Sequence, residues 1–403
     1  LRNQLVVIMD GMPSKPAFDT LPGHRAAMLG PLIDSHRDAV EANRRLPPPL
    51  LDALHGAGLF RMLLPKPYGG EEATPAQFFA AIEAAARHDA SVAWCLCQAN
   101  GCAMTAAYLS PDLANEIWGN DPHAVLAWGP GKAEAVQADG GFVVSGNLMF
   151  ASGGRHATWL GAHTPVKTAD GETVLTGAGK PEIRTFLMPA ADIEMEDIWD
   201  VIGLRGTASD GYKLENKFVP TGYTTFRDDP SVRTYSAPLY HYPAMTMYAT
   251  GFAGVALGIA QGFLGDFLQF AQGKVPRMAK STVANSPVAQ AETATASARI
   301  MASRALLMQE TEQVWAETLA SGGLSSAGRA RIRLASTFAI HEAKGAVNAL
   351  YDLAGADAIF ASGPFERRFR DIHTVTQQLQ GRKTHMQSVG AWLMGHEADL
   401  NVM

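Results

Sequence analysis

The stretch SGNLMFASGGRHATW, residues 145–159, sets the short apolar run Leu148–Ala151 before a Ser-Gly-Gly break and opens a second run, Trp159–His163, after it. Runs of four or five residues bounded by glycine read as strands, because an amphipathic helix needs ten or more residues to show its 3.6-residue period. The same texture continues outward. Ala124–Trp128, Gly141–Ser145 and Thr185–Met188 are further strand-like runs separated by Gly, Asp and Pro clusters, and Phe218-Val219-Pro220 reads as an exit strand. A β-barrel or sandwich is therefore expected over residues 123–228.

Both flanks of this region are helical. Residues 12–122 carry Leu50, Leu51, Leu54, Leu59 and Phe60 on one expected helical face, then the breaker PKPYGG at 65–70 and an alanine-rich apolar stretch over 75–109. Ser110-Pro111-Asp112 is a helix start with proline in the first turn. Downstream, over 229–403, the periodicity predicts three long helices: Tyr248–Phe270, Thr293–Ala320 and Arg329–Gly355. The chain is read as an α+β protein: helices, a small β domain, then a helical bundle.

Bulk composition narrows the function classes. Hydrophobic residues are 47% and charged residues 18% of the 403, a globular balance, and a net charge of −6 offers no basic field to nucleic acid or an anionic membrane. Cys95, Cys97 and Cys102 lie within eight residues in an apolar stretch. An odd, clustered set without partners elsewhere fits buried thiols in a reducing cytoplasm better than disulfides or zinc, and no metal site is expected. Residues 1–11, LRNQLVVIMDG, read as an upstream extension or mis-called start, with Leu5 to Met9 too short to span a bilayer, and no later window is expected to form a membrane helix.

Five strings in order, LLPKPYGG (63–70), SGNLMFASGGRHATW (145–159), GLRGTASDGYKLENKFVP (203–220), ALGIAQGFL (256–264) and PFERRFRD (364–371), resemble the acyl-CoA dehydrogenase superfamily over nearly the whole chain from about residue 22. The resemblance implies an N-terminal helical domain, a central β domain and a C-terminal four-helix bundle. In detail the strings look more like the superfamily's flavin-dependent monooxygenase branch, whose members hydroxylate phenols, indoles and related aromatics with reduced flavin and O2. Phe150-Ala151-Ser152 stands where the dehydrogenases usually carry Trp-Ile-Thr/Ser.

The resemblance implies reduced flavin, FMN or FAD, as cofactor. It places the Ser152 hydroxyl and the backbone of Phe150 and Ala151 against the flavin N5 and O4 edge, with Trp128 and Gly129 in the neighbouring loop. The alternative is that Ser152 merely ends a strand. An arginine followed by Phe-Gly often meets the flavin pyrophosphate of a neighbouring subunit in this superfamily; here the stretch is GKVPRMAKSTVANSPVAQ (273–290), without Phe-Gly. Arg277 is the phosphate candidate, with Lys274 and Lys280 beside it, or the loop is a solvated basic one.

Two absences decide the chemistry. Acyl-CoA dehydrogenation needs a carboxylate within reach of the α-proton. Counted from the family strings, its two usual positions fall at Leu379, between Gln378 and Gln380, and near Tyr248. No Asp or Glu stands between Asp229 and Asp266. Amides can orient a substrate but cannot act as a base near neutral pH. Asp371 is expected in an arginine-paired structural role. Two histidines common in the monooxygenase branch are missing as well, at Asn100–Cys102 and at Gln378. Tyr240, His241 and Tyr242, leading toward Tyr248, are candidate replacements or packed loop residues. His156 and His373 are expected to be peripheral to the chemistry.

The reading is a two-component flavin-dependent monooxygenase, supplied by a separate flavin reductase, acting on a small aromatic or heteroatom-bearing substrate. Ser152, Tyr240, His241 and Gln378 are its catalytic candidates, and a homotetramer is expected. An acyl-CoA dehydrogenase with a displaced base and a non-catalytic flavin-binding scaffold are the alternatives.

Overall fold

The computed structural model describes residues 20–227 and 229–397; the reading of residues 1–11 falls outside them. The first layer is helical: α1 (Pro22–Met28), α2 (Gly30–Asn43), α3 (Pro48–Gly56), α4 (Pro75–Ala86), α5 (Ala90–Ala103) and the short α6 (Pro111–Ala114). Local chemistry sets their starts. Thr74 and Gln77 form a reciprocal capping box on α4, Asp89 caps α5 through the Val92 N–H, and Ser110 caps α6 with Pro111 in the first turn. Leu50 and Leu54 are buried from α3 as expected, but that helix stops at Gly56. Leu59 and Phe60 reach the core from the turn beyond it.

The middle of the chain is a mixed sheet of eight strands: β1 (Leu126–Trp128), β2 (Gly131–Ala138), β3 (Gly141–Ala151), β4 (Trp159–Lys167), β5 (Ile183–Pro189), β6 (Met195–Glu196), β7 (Asp210–Pro220) and β8 (Thr224–Thr225). The order is β6-β7-β3-β2-β4-β5-β8, with β1 parallel to β4. β2 and β4 meet only at Ala135–Val166 and Val136–Lys167, so two sheet halves join at one corner around the core of Phe142, Val144, Leu160, Phe186 and Tyr212. The two runs read at 141–145 and 148–151 are one strand, and β2 was not anticipated. It alternates exposed Lys132 and Glu134 with small Ala133 and Ala135, so its apolar face carries little signal.

The C-terminal layer holds α7 (Ala244–Gly273), α8 (Pro287–Ser321), α9 (Ser326–Ala354), α10 (Phe365–Val375) and α11 (Thr384–Leu393). α7 and α8 extend past both ends of the stretch read from periodicity, while α9 starts earlier, at Ser326, and ends one residue short, at Ala354. α7 also corrects the membrane reading: by length and composition it could span a bilayer, with an 18-residue window of mean hydropathy 1.4. Two thirds of that window, 67%, is buried inside the protein, which makes it a core helix. α4 packs on α7 closely enough that a Cβ at Gly258 would stand 2.5 Å from the Glu83 carbonyl. Glu83 accepts from Gln261 Nε2 and Arg304 Nε at 2.8 Å each, so its buried carboxylate ties α4, α7 and α8 together.

The helical and β layers are joined by buried polar groups. Arg61 donates to the carbonyls of Tyr68, Trp118, Asp121 and Pro122, closing the helical layer over the entry to β1. Asp371 departs from the arginine-paired role expected of it. Its Oδ1 accepts from the Leu204 N–H at 2.6 Å, while Arg370 pairs with Glu366 and Glu41. Asp371 thereby anchors the loop that leads into β7.

Candidate active site

β3 does not run straight to its end. Its ladder with β7 slips between Leu148 and Ala151, and Phe150 takes φ +62, a left-handed backbone that a phenylalanine rarely adopts. Gly129, in the loop after β1, lies under this bulge: a Cβ there would stand 1.7 Å from the Met149 carbonyl. The bulge turns Phe150 outward, its ring edge-on to Trp199 at 6.0 Å, and turns Ser152 into the protein. Strain held at one spot by its surroundings is a mark of a functional edge.

A second strained turn meets it. Leu204 and Ala208 also carry positive φ, 54 and 45, and this turn brings Thr207 and, just after it, Ser209 up to the Ser152 segment. Ser152 Oγ lies 2.9 Å from Trp94 Nε1 and 2.7 Å from Ser209 Oγ; Ser209 Oγ lies 2.7 Å from Thr207 Oγ1; Thr207 Oγ1 lies 2.9 Å from the Leu204 carbonyl. The direction of every proton follows. A carbonyl only accepts, so Thr207 donates to Leu204, Ser209 donates to Thr207, and Ser152 donates to Ser209. The indole of Trp94 can only donate, so Ser152 accepts from it. Ser152 is left with one acceptor lone pair and no proton to give.

That polarity bears on flavin. Reduced flavin presents an N–H at N5, a donor, whereas the oxidised ring presents an acceptor. A hydroxyl with a lone pair but no proton to offer fits the reduced ring, and the segment Phe150–Ser152 with Trp128 and Gly129 would carry the ring edge. Bound reduced flavin would supply the two electrons and the activation of O2 that no side chain here provides.

Aromatic rings continue from Trp94. Phe252 packs on Trp94 with centroids 4.1 Å apart, and Tyr248 stacks on Phe252 at 5.8 Å. The Tyr248 hydroxyl lies 3.4 Å from Cys102 Sγ. Burial holds the Tyr248 phenol well above its ordinary value and pushes the Cys102 thiol up to about 12, so neither is a base at neutral pH. The three cysteines are free and buried, as read from the sequence. Among the described residues no group of three His, Cys, Asp or Glu is placed to hold a metal ion.

The other sequence candidates scatter. Tyr240 is buried and donates its hydroxyl to the Leu63 carbonyl at 3.2 Å, which spends it on loop packing. Asn100 binds Leu63 N and Leu59 O in the same loop, and Leu96 O on its own helix α5. His241 is half-buried, its imidazole lowered by burial and by Arg233. Arg277 is exposed in the loop after α7, and Lys274 is paired with Asp357. Trp128 is buried against His163. Gln378 accepts from the Gln380 N–H at 2.6 Å through Oε1, while its Nε2 is buried without a partner among the described residues. Trp94, Thr207 and Ser209 were not singled out as functional, although the GLRGTAS string contained the two hydroxyls.

Near the bulge, His156 buries both ring nitrogens without a partner among the described residues, its ring edge-on to Phe60 at 5.8 Å. His55 stacks on the other side of this patch, 4.4 Å from Phe60 and 4.7 Å from His123. Burial lowers His156 to about 4; burial first, then His123, lowers His55 to about 3. The unfolded chain takes up these protons near 6.5 and the folded chain does not. Stability is thus full above about pH 6.5 and falls as pH drops toward 4 and then 3. Each histidine is expected to cost about 1–2 kcal/mol at pH 5, allowing for solvent at His55. Urea titrations of wild type and His156→Phe at pH 7 and pH 5 check this: the variant should lose less stability between them, and an equal loss contradicts the assignment.

Comparison with known proteins identifies the family. Residues 29–114 match the acyl-CoA dehydrogenase N-terminal domain and residues 250–380 a C-terminal domain of the same superfamily. The chain is 32% identical over 348 residues to indole-3-acetate monooxygenase of Acinetobacter baumannii, covering 85% of each. It is 30% identical over 355 residues to HsaA, the oxygenase subunit of a flavin-dependent monooxygenase of Mycobacterium tuberculosis, covering 86% of this chain and 88% of that one. The crystal structure of 3-HSA hydroxylase from Rhodococcus sp. RHA1 superposes with a TM-score of 0.86 at 25% identity, over 96% of this chain and 100% of the other. The fold is therefore that of the acyl-CoA dehydrogenase superfamily. Within it, the chain belongs to the flavin-dependent monooxygenases.

Proposed function

We propose that the protein is the oxygenase component of a two-component system. It takes reduced flavin from a separate reductase and inserts one oxygen atom of O2 into a small aromatic substrate, the other leaving as water. The observation that carries this reading is the polarity at Ser152: a buried acceptor suited to a donor at N5, joined through Trp94 to the packed rings of Phe252 and Tyr248, with no carboxylate at either position where a dehydrogenase keeps its base. Ser152 holds the flavin edge and the three rings seat an aromatic substrate and keep water out, which suppresses unproductive release of hydrogen peroxide. Gln378 offers its amide N–H to the substrate.

Indole-3-acetate is the first substrate to try, given the named relative. Protein, reduced flavin and 18O2 should give product carrying one labelled oxygen, with no incorporation from labelled water. Product without label, or peroxide as the sole oxygen product, would count against the proposal.

The protein is proposed to act in the cytoplasm as a homotetramer. An apolar groove of about 360 Å³ between α7 and α8, lined by Leu264, Phe267, Leu268 and Ala271, supports association of copies there. A monomer by light scattering at micromolar concentration would refute that part.

A further inference from the structure

Arg333, on α9, is 1% exposed, and among the described residues no carboxylate pairs with it. Its Nη1 donates to Gln380 Oε1, while Nε and Nη2 are buried without partners. Those two nitrogens form one edge of the guanidinium, the edge that grips a carboxylate with two parallel hydrogen bonds. Gln378 Nε2 is a further buried donor without an acceptor in the same short loop, where Gln378 Oε1 binds the Gln380 N–H. One turn along α9, on the same face as Arg333, the hydroxyls of Ser336 and Thr337 are buried and unpartnered too. A buried charge with no counter-charge costs stability, and a cluster of donors with nothing to donate to calls for an anion.

The cluster connects with the aromatic site. Gln380 Nε2 lies 3.7 Å from Met245 Sδ, and Met245, Tyr248 and Phe252 share one face of α7. Seven residues at the helical rise separate Met245 from Phe252 by about 10 Å. Phe252 packs on Trp94, which donates to Ser152. A cation thus lies at one end of a row of rings whose other end is the flavin-facing serine.

Building on the monooxygenase reading above, we propose that Arg333 is a specificity-determining residue that binds the carboxylate of an aromatic acid substrate through its Nε/Nη2 edge, with Gln378 completing the anion site. Neutral aromatics then fill the rings but leave the donors unsatisfied.

The test compares indole-3-acetate with its neutral isostere indole-3-acetamide, titrated calorimetrically into protein carrying reduced flavin under nitrogen. Wild type is expected to bind the acid about 10- to 100-fold more tightly, the range for a charge-assisted pair out of water. Arg333→Met, which keeps the volume and removes the charge, is expected to bind the two alike. Equal binding by wild type, or an acid preference retained in the variant, overturns the proposal. If the variant fails to fold, the wild-type ratio still decides. Labelled-oxygen turnover of indole, which has no acid group, tests the oxygenase reading by itself, so that either can fail alone.

Discussion

Anaerobic addition of short-, medium- or branched-chain acyl-CoAs to the flavin-loaded protein is expected to leave the oxidised flavin band unbleached. The reason is positional. One base position falls on Leu379, whose side chain is 44% exposed and apolar. Its neighbours are amides with assigned structural contacts: Gln380 accepts from Arg333, and Gln378 accepts from the Gln380 N–H. The other position falls near Tyr248, a phenol that burial keeps protonated. Asp371, the closest upstream carboxylate, is pushed up to about 7 by burial and is occupied by the Leu204 N–H. A positioned base is worth about 10²–10⁴-fold, so flavin reduction by an acyl-CoA should be slower than in a dehydrogenase by at least that factor. Rapid bleaching by any chain length would restore the dehydrogenase alternative.

Much of the architecture could be read in advance because burial imposes a period. The 30 residues of α7 and the 29 of α9 repeat apolar positions at helical spacing, and the glycine-punctuated runs at 148–151 and 159–163 became β3 and β4. What escaped was whatever periodicity does not encode. β2 alternates charge with alanine, so its inward face carries no large apolar residue. The expectation that no later window is apolar enough to span a bilayer is corrected by α7, which burial and not composition marks as a core helix.

The site was legible only at Ser152 and its neighbours, where a contiguous string carried it. Trp94 and Ser209 lie 58 and 57 residues from Ser152, and a hydrogen bond over that distance leaves no local trace. Arg333 illustrates the converse. In the sequence it is one arginine among several on a helix, and only burial without a counter-charge gives it meaning.

Ser209→Ala is expected to change which form of flavin the protein prefers, with little change in fold. In wild type the Ser152 proton is committed to Ser209, whose own proton goes to Thr207, whose proton goes to the Leu204 carbonyl. Asp371 holds that carbonyl's residue in place through the Leu204 N–H. The Ser152 hydroxyl is therefore oriented from more than one residue away, and its remaining lone pair suits the N5–H of reduced flavin. Removing the Ser209 hydroxyl releases the Ser152 proton, which can then be offered to the bare N5 of the oxidised ring. Recovering one hydrogen bond of about 1–1.5 kcal/mol should tighten oxidised flavin by roughly tenfold, while reduced flavin binds as before. The ratio of the two dissociation constants, from fluorescence titration in air and anaerobic titration after reduction, is the quantity to measure. Ser152→Ala supplies the contrast: it removes the acceptor offered to the N5–H of reduced flavin and leaves the Trp94 N–H unpartnered, so the affinity for reduced flavin should fall while that for oxidised flavin does not gain the tenfold expected of Ser209→Ala. An unchanged ratio in Ser209→Ala would mean that the hydroxyl chain does not set the polarity of Ser152, and the preference for reduced flavin would need another source.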